Sequence, residues 1–374
     1  MGTERVQRSL QIALDHGLEE LAGRAYVNLT WWAPRRRAYT EADRYIDAGL
    51  RYCEERGLHL WHNYLVAYRA RAELERGRWG EAVECAASIL RDPRTSPVPR
   101  IVALSVAGLV RARRGQEAAW GLLDEAWDLA RGTGELQRVE PIAAARAEAC
   151  WLEGRNDEVG EASAAALELA LARGANWVIG EMLSWRRRAG VAVDVPTNLP
   201  EPFASELEGD WQRSAREWTV LDAPYEAALA LSQAGDEDTI RESFEQLQRL
   251  GAKPAAAIVA VRLRSIGGRV VPRGPRSTTL ANPAHLTSPL TGYDPLAIDA
   301  HVYDHPVHHN VGVRLPENQF PSSVDRVNCR CSFDVVVEDR TGIGCRHDAE
   351  AGEHESHHQQ CPDETFHGNR SGSH

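Results

Sequence analysis

Three stretches of the chain share one pattern: an Ala-rich amphipathic run, a turn built on Gly, and a second amphipathic run. They are residues 63–90 (NYLVAYRARAELERGRWGEAVECAASIL), 101–130 (IVALSVAGLVRARRGQEAAWGLLDEAWDLA) and 141–170 (PIAAARAEACWLEGRNDEVGEASAAALELA). Their turn glycines, Gly77, Gly115 and Gly154, stand 38 and 39 residues apart. A fixed period of this size marks a stacked array, because one helical hairpin cannot bury its apolar face without neighbours. Glycine ends the first helix, since the residue just past a helix commonly takes positive φ. Glu81, Glu117 and Asp157 then favour the start of the second helix through its dipole. Ala70, Ala82, Ala107, Ala118 and Ala147 are the small residues expected to let the two helices approach closely.

The pattern predicts an all-α chain: a TPR-like helical-hairpin solenoid followed by an irregular, disordered C-terminal tail. A degenerate copy precedes the three repeats, with helices over 25–32 and 40–56 and an end at Gly57. Another begins at 177–188. The run VDVPTNLPEPF, with three prolines, breaks the periodicity. Helices resume over 204–221, 224–233, 239–250 and 254–265. The expected divisions are therefore 1–192 (TPR-like repeats), 193–203 (Pro-rich linker), 204–268 (further hairpins), 269–287 (a second linker) and 288–374 (tail).

Charge narrows the function classes. The formal net charge is −11, which argues against a chain built chiefly to hold nucleic acid. Residues 294–374 carry 14 carboxylates against 6 arginines, so about −8 of that charge sits in the tail and the rest of the chain is nearly balanced. The sole lysine is Lys253; every other basic side chain is arginine, a mark of coding bias and not of function. No apolar run is long enough for a membrane span, and MGTERVQRSL lacks the apolar stretch of a secretory signal, so a cytoplasmic chain is expected. Cys53, Cys85 and Cys150 stand singly in helical runs and read as small packed residues with reduced thiols. All eleven tryptophans precede residue 219 and read mainly as packing residues; Trp31, Trp32 and Trp61 are the candidates to line a ligand groove.

Residues 204–287 carry a more specific signal. Trp211, Ala215 and Trp218, the PYEAALAL run at 224–231, LGAKPAAAIVAVRLR at 250–264 and PRGPRSTTLANPAHLT at 272–287 follow one another in an order and spacing that resemble the segment before the DNA-binding domain of large LuxR-type transcriptional regulators. The upstream hairpins resemble the helical-repeat region of the same regulators. The resemblance implies three parts: an N-terminal ATP-binding domain, a helical-repeat sensor region and a C-terminal helix-turn-helix. This sequence departs from that plan at both ends. A P-loop needs Gly-Lys-Ser/Thr, but Lys253 lies between Ala252 and Pro254, so ATP is not expected to bind. The likeness stops after Leu286-Thr287, where Pro289, Gly292, Pro295, Pro306 and Pro316 preclude a recognition helix of useful length. DNA binding by this chain is therefore doubtful on sequence. The abrupt change predicts an altered reading frame there, or an unrelated segment joined on.

The tail holds ten of the fourteen histidines and four of the seven cysteines. Cys329, Cys331, Cys345, His347 and Cys361 are candidate metal ligands, but CxC followed by wide gaps is a weaker pattern than paired CxxC. His59 and His62 stand at i, i+3 and read as helix-surface residues. The carboxylates along the helices, as in Arg69–Glu73 and Glu242–Gln246–Arg249, read as solvated charge pairs. No GxSxG, HExxH or GxGxxG is present, and neither an enzyme nor a cofactor is expected. The leading expectation is the sensor region of a LuxR-type regulator, binding a protein or small-molecule effector through a TPR-like groove. A free-standing TPR adaptor for protein–protein contact is the alternative, and a metal-binding protein using the tail is a third.

Overall fold

Several helices close on a left-handed glycine, and four of these closures follow one another at the spacing of the repeat. In the computed structural model, which describes residues 2–31 and 37–267, Gly77, Gly115, Gly154 and Gly190 take φ of +75°, +66°, +75° and +80°. At the first of them the Gly77 N–H donates to Leu74 O (3.1 Å) and the Arg78 N–H to Glu73 O (2.8 Å), which satisfies two carbonyls the helix itself leaves open. The pairs Gly115/Gln116, Gly154/Arg155 and Gly190/Val191 repeat this arrangement. The repeat in the sequence is thus a repeat of helix closures, and it extends one hairpin beyond the three sequence copies.

Fifteen α-helices and no strand are found among the described residues. They are α1 (Gly2–Asp15), α2 (Glu19–Thr30), α3 (Tyr39–Arg56), α4 (His59–Glu75), α5 (Trp79–Leu90), α6 (Pro97–Arg114), α7 (Ala119–Arg131), α8 (Leu136–Leu152), α9 (Val159–Arg173), α10 (Asn176–Arg188), α11 (Phe203–Glu208), α12 (Trp211–Val220), α13 (Pro224–Leu231), α14 (Glu237–Leu250) and α15 (Lys253–Ser265). The first helices of successive hairpins, α2, α4, α6, α8 and α10, pack on one another as a continuous layer. Each second helix packs on its own first helix and on the next one along: α3 on α2 and α4, α5 on α4 and α6, α7 on α6 and α8, α9 on α8 and α10.

Small residues make this stacking possible. Ala70, Ala82, Ala107 and Ala147 are fully buried. Ala118 differs from the expectation: it is exposed, with φ +62°, because the turn after Gly115 is longer and α7 starts one residue later, at the buried Ala119. Four helical glycines have no room for a side chain, among them Gly108, where a Cβ would lie 2.8 Å from Leu123. A Cβ on Gly23 would lie 2.6 Å from the Trp61 ring, one on Gly49 2.7 Å from Leu65, and one on Gly180 2.7 Å from Cβ of Phe203. Cys53 and Cys150 are buried thiols, as their positions predict, whereas Cys85 is half-buried; burial pushes the Cys53 thiol up to about 11.

The segment after α10 turns back onto the first-helix layer. The expected helix over 204–221 is two helices, α11 and α12. Gly209 (φ +93°) ends the first, and Asp210 caps the second by accepting from the Arg213 N–H (3.0 Å). Helices α12 to α15 pack in sequence, and α15 lies against α6 and α8. Tyr225, Leu229, Val259 and Leu263 share one apolar core with Leu74, Trp79, Leu104 and Val106 of the array. Pro224 and Leu250 approach the closing turn of α4 at Gly77, and Pro254 that of α6 at Gly115. Among the described residues no helix is long and apolar enough to cross a membrane.

The close approach of α10 and α11 gives a direct check. Gly180→Ala forces the Phe203 side-chain root to move and is expected to cost about 1–3 kcal/mol, as overpacking does. Gly121→Ala, in α7 with nothing within 4 Å of the added Cβ, is expected to stabilise by about 0.5–1 kcal/mol through helix propensity. Denaturant midpoints of the two variants should move in opposite directions.

Candidate functional site

Burying an ion costs several kcal/mol unless a partner and hydrogen bonds offset it. The first-helix layer nonetheless buries a set of arginines and glutamates. Their positions repeat with the hairpins: six and two residues before the four closing glycines stand Arg71 and Glu75, Leu109 and Arg113, Glu148 and Leu152, Ser184 and Arg188. One helical turn separates the members of each pair, so they share a face. Seven of these eight residues line one cavity; Leu152 is the exception.

The strongest pair spans two neighbouring first helices. Arg113 donates from Nε to Glu148 Oε1 (2.7 Å) and from Nη2 to Oε2 (3.0 Å), with both side chains only 2–3% exposed. This two-pronged geometry suits a planar guanidinium. The same guanidinium lies over the Tyr225 ring, 3.9 Å from its centroid, and 3.8 Å from Glu226 Oε1 of α13. On α4, Arg71 and Glu75 pair at 2.5 Å. Arg37 reaches in from the segment before α3, with Nη2 2.8 Å from Glu75 Oε2 and 3.3 Å from Glu226 Oε1. Its backbone takes φ +58°, a left-handed conformation that is rare for a side chain of this size. On α10, Arg188 pairs with Glu206 of α11 at 2.6 Å, both almost fully buried.

The environment divides the carboxyls into two kinds. Burial pushes Glu75 up, but Arg37, Arg71 and Arg113 together outweigh it and hold the carboxyl down at about 2. Glu181 goes the other way. Burial and the neighbouring Glu140 raise it well above the usual carboxylate range, and Arg71 and Arg37 only partly oppose them. Burial likewise raises Glu226 and Glu206. Burial also drives the Tyr39 and Tyr225 hydroxyls upward, Tyr225 with added repulsion from Glu148.

Around these groups lies a partly open cavity of about 20 Å³, on the scale of one water molecule. Trp185, Phe203 and Trp218 form its aromatic wall. Ser184 Oγ, Arg113 Nη1, Arg188 Nε and Glu226 Oε2 are buried there without a hydrogen-bond partner among the described residues. The charged and polar groups of the lining can hold a ligand by charge and hydrogen bond.

The residues singled out from the sequence lie elsewhere. Trp61, on α4, rests on Gly23 of α2 and donates from Nε1 to Glu20 Oε2 (2.5 Å). Trp31 caps the far end of α2, eight residues beyond Gly23, or about 12 Å along a helix. The structure does not bring these two together, and neither lines the cavity. Trp32 and the proposed metal ligands Cys329, Cys331, Cys345, His347 and Cys361 lie outside the described residues. No group of three or more His, Cys, Asp or Glu placed to hold a metal occurs among the described residues. A second, open groove holds Trp120 and Trp127, but the chain's own Arg146 and Arg155 cover these rings, Arg155 at 4.3 Å from the Trp120 centroid.

The reading of helix charges as solvated pairs needs correcting in two ways. Arg69 pairs with Asp47 of α3 and not with Glu73, which faces Arg78 (3.1 Å) and Arg76 (3.8 Å). The side chains of Arg71, Glu75, Arg113, Glu148, Arg188 and Glu206 are buried, since α11 to α15 cover the face that a lone hairpin would show to water. A signal for this was present: charges recurring at the closing-glycine register, where a stacking layer should be apolar. Compared with models of protein families, with curated proteins and with solved structures, the chain finds no match.

Two outcomes follow. Arg113→Met leaves Glu148 buried without its partner and should cost about 3–5 kcal/mol, whereas Arg113→Met with Glu148→Met should recover most of that loss. A double variant no more stable than the single one, by denaturant midpoint, contradicts this account. The pH dependence has two limbs. The lowered Glu75 contributes stability above its unfolded value of 4.5 that is lost as pH falls towards about 2. The raised Glu181, Glu206 and Glu226 keep protons in the folded chain that the unfolded chain has released, so stability falls as pH rises above 4.5 through their folded values. Melting temperatures should therefore peak on the acid side of neutrality, and Glu181→Gln should flatten the decline between pH 5 and 8.

Proposed function

We propose that the chain is the TPR-like sensor region of a LuxR-type transcriptional regulator: its first-helix face receives an effector, and α11 to α15 carry the result to whatever follows them. One observation carries this reading. Glu226 on α13 is held by Arg37 before α3 and lies close to Arg113 on α6, so the segment that bears the family resemblance is tied by buried charge to the face of the repeat layer. An effector that changes the pairing of these groups changes how α13 is held, and only such a differential contact shifts a conformational equilibrium. The role is regulatory binding, with no catalytic step assigned. A partner or small-molecule effector is expected on the first-helix face, and the cellular setting expected for such a regulator is the cytoplasm.

Transcript levels test the reading. In cells that encode the chain, deleting its gene should change a small set of transcripts by several-fold or more, the scale of an allosteric coupling of 1–3 kcal/mol. The wild-type gene should restore them, and Glu226→Gln, which keeps the shape but removes the charge between Arg37 and Arg113, should restore them only in part. Unchanged transcripts on deletion would overturn the regulatory role and leave an adaptor for protein–protein contact.

A further inference from the structure

Helix α1 uses only one of its faces inside the molecule. Val6, Leu10, Ala13 and Leu14 pack towards α2, and Gln7 donates from Nε2 to the Tyr45 hydroxyl of α3 (2.7 Å). Arg5, Arg8, Ile12 and Asp15 follow one another at steps of three, four and three residues, which sets them in one stripe on the opposite face, and all four are exposed. Ile12 is 47% exposed, and Leu18, in the turn that follows α1, is 44% exposed. Among the described residues neither Arg5 nor Arg8 has an ion pair, and Asp15 accepts from Gln11 Nε2 (2.7 Å) but pairs with no cation. Arg8 and Asp15 stand two turns apart, beyond the one-turn reach of a pair within a helix. Along α1 the stripe therefore runs basic, apolar, acidic, and its charges are unmet in a single copy.

Such an order complements itself only when reversed. Two α1 helices side by side and parallel would set Arg8 against Arg8 and Asp15 against Asp15. Turned antiparallel about a two-fold axis at Ile12, they set unlike charges together. Arg8 lies about 6 Å before Ile12 along the helix and Asp15 about 4.5 Å after it, so Arg8 comes nearly level with Asp15 of the partner subunit. The aliphatic stem of Arg5 then lies over Leu18 of the partner subunit. We propose that the outward face of α1 joins two copies of the chain, antiparallel, with Ile12 at the two-fold axis. One helical stripe from each copy is small against the area of a stable interface, so the dimer is weak and depends on concentration. Ile12 supplies the apolar centre, and the paired charges select the antiparallel, isologous arrangement. None of these residues lines the first-helix cavity, so this contact is independent of the effector reading.

Sedimentation equilibrium of the full chain, under reducing conditions and from micromolar to submillimolar concentration, tests the proposal. The wild type should show a reversible monomer–dimer equilibrium that high salt weakens. Ile12→Glu, at an exposed position, should leave the melting temperature of the monomer unchanged and abolish the dimer. Arg8→Glu and Asp15→Arg, each of which sets like charges together across the axis, should each weaken association by about tenfold or more. The two substitutions in one chain should restore it, because the reversed stripe is again complementary to itself. A wild type that stays monomeric throughout, a dimer that survives Ile12→Glu, or a doubly substituted chain that associates no better than either single variant would overturn the proposal. If Ile12→Glu does not fold, the comparison of the two charge variants with their combination decides alone.

Discussion

A buried charge must be met by another, and that requirement links parts of this chain that lie far apart in sequence. Glu75 of α4, Arg37 before α3, Glu226 of α13, Arg113 of α6 and Glu148 of α8 form one connected series. Arg37 and Glu226 are 189 residues apart. Each ion is costly to remove from water, and each is tolerated only while its partner stays in place. A slip of one first helix against the next would therefore strand several charges together. The stacking of the hairpins and the docking of the C-terminal helices are in this sense one packing problem.

Apolar burial and charge divide the work between them. Tyr225 and Leu229 of α13 and Val259 and Leu263 of α15 enter the core of the array, and Tyr225 meets Trp79 edge-on at 5.6 Å. That burial supplies most of the driving force, because it scales with area and has no preferred direction. It cannot by itself fix register. The bidentate Arg113–Glu148 pair can, since two parallel hydrogen bonds tolerate little displacement. The exposed pairs, such as Arg131–Asp128 at 3.0 Å, add little to either.

The helices were legible in the sequence because their closures are local. Gly77, Gly115 and Gly154 announce positive φ wherever they fall, and the alanines around them specify close approach without reference to any distant residue. The break at Gly209–Asp210 was locally written too, as a glycine before a capping aspartate, but an unbroken amphipathic reading passed over it. The cavity was less legible. Arg71 and Glu75 look like a solvated i,i+4 pair on an isolated helix, and only the return of α11 to α15 onto that face turns them into buried groups. Tryptophan drew the sequence reading to Trp31 and Trp61, whereas Trp185 and Trp218, which line the cavity, look no different in a one-dimensional pattern. Burial of a charge is a property of the tertiary arrangement, and its trace in the sequence is the recurrence of charges at the register of the closing glycines.

The two kinds of carboxyl in the network point to where a regulatory input acts with most effect. Glu75 is held ionised by three arginines, and disturbing it requires breaking strong pairs. At Glu181 and Glu226 burial outweighs the nearby arginines, so a change in nearby charge alters their state at lower cost. Packed cores respond by switching between discrete arrangements more than by bending. On the proposed reading, an effector on this face acts through the contacts of Arg37 and Arg113 with Glu226. The input site is then the weakest part of the network, and the output is the contact that holds α13. A network with every charge fully paired would be more stable and would have nothing for an effector to complete.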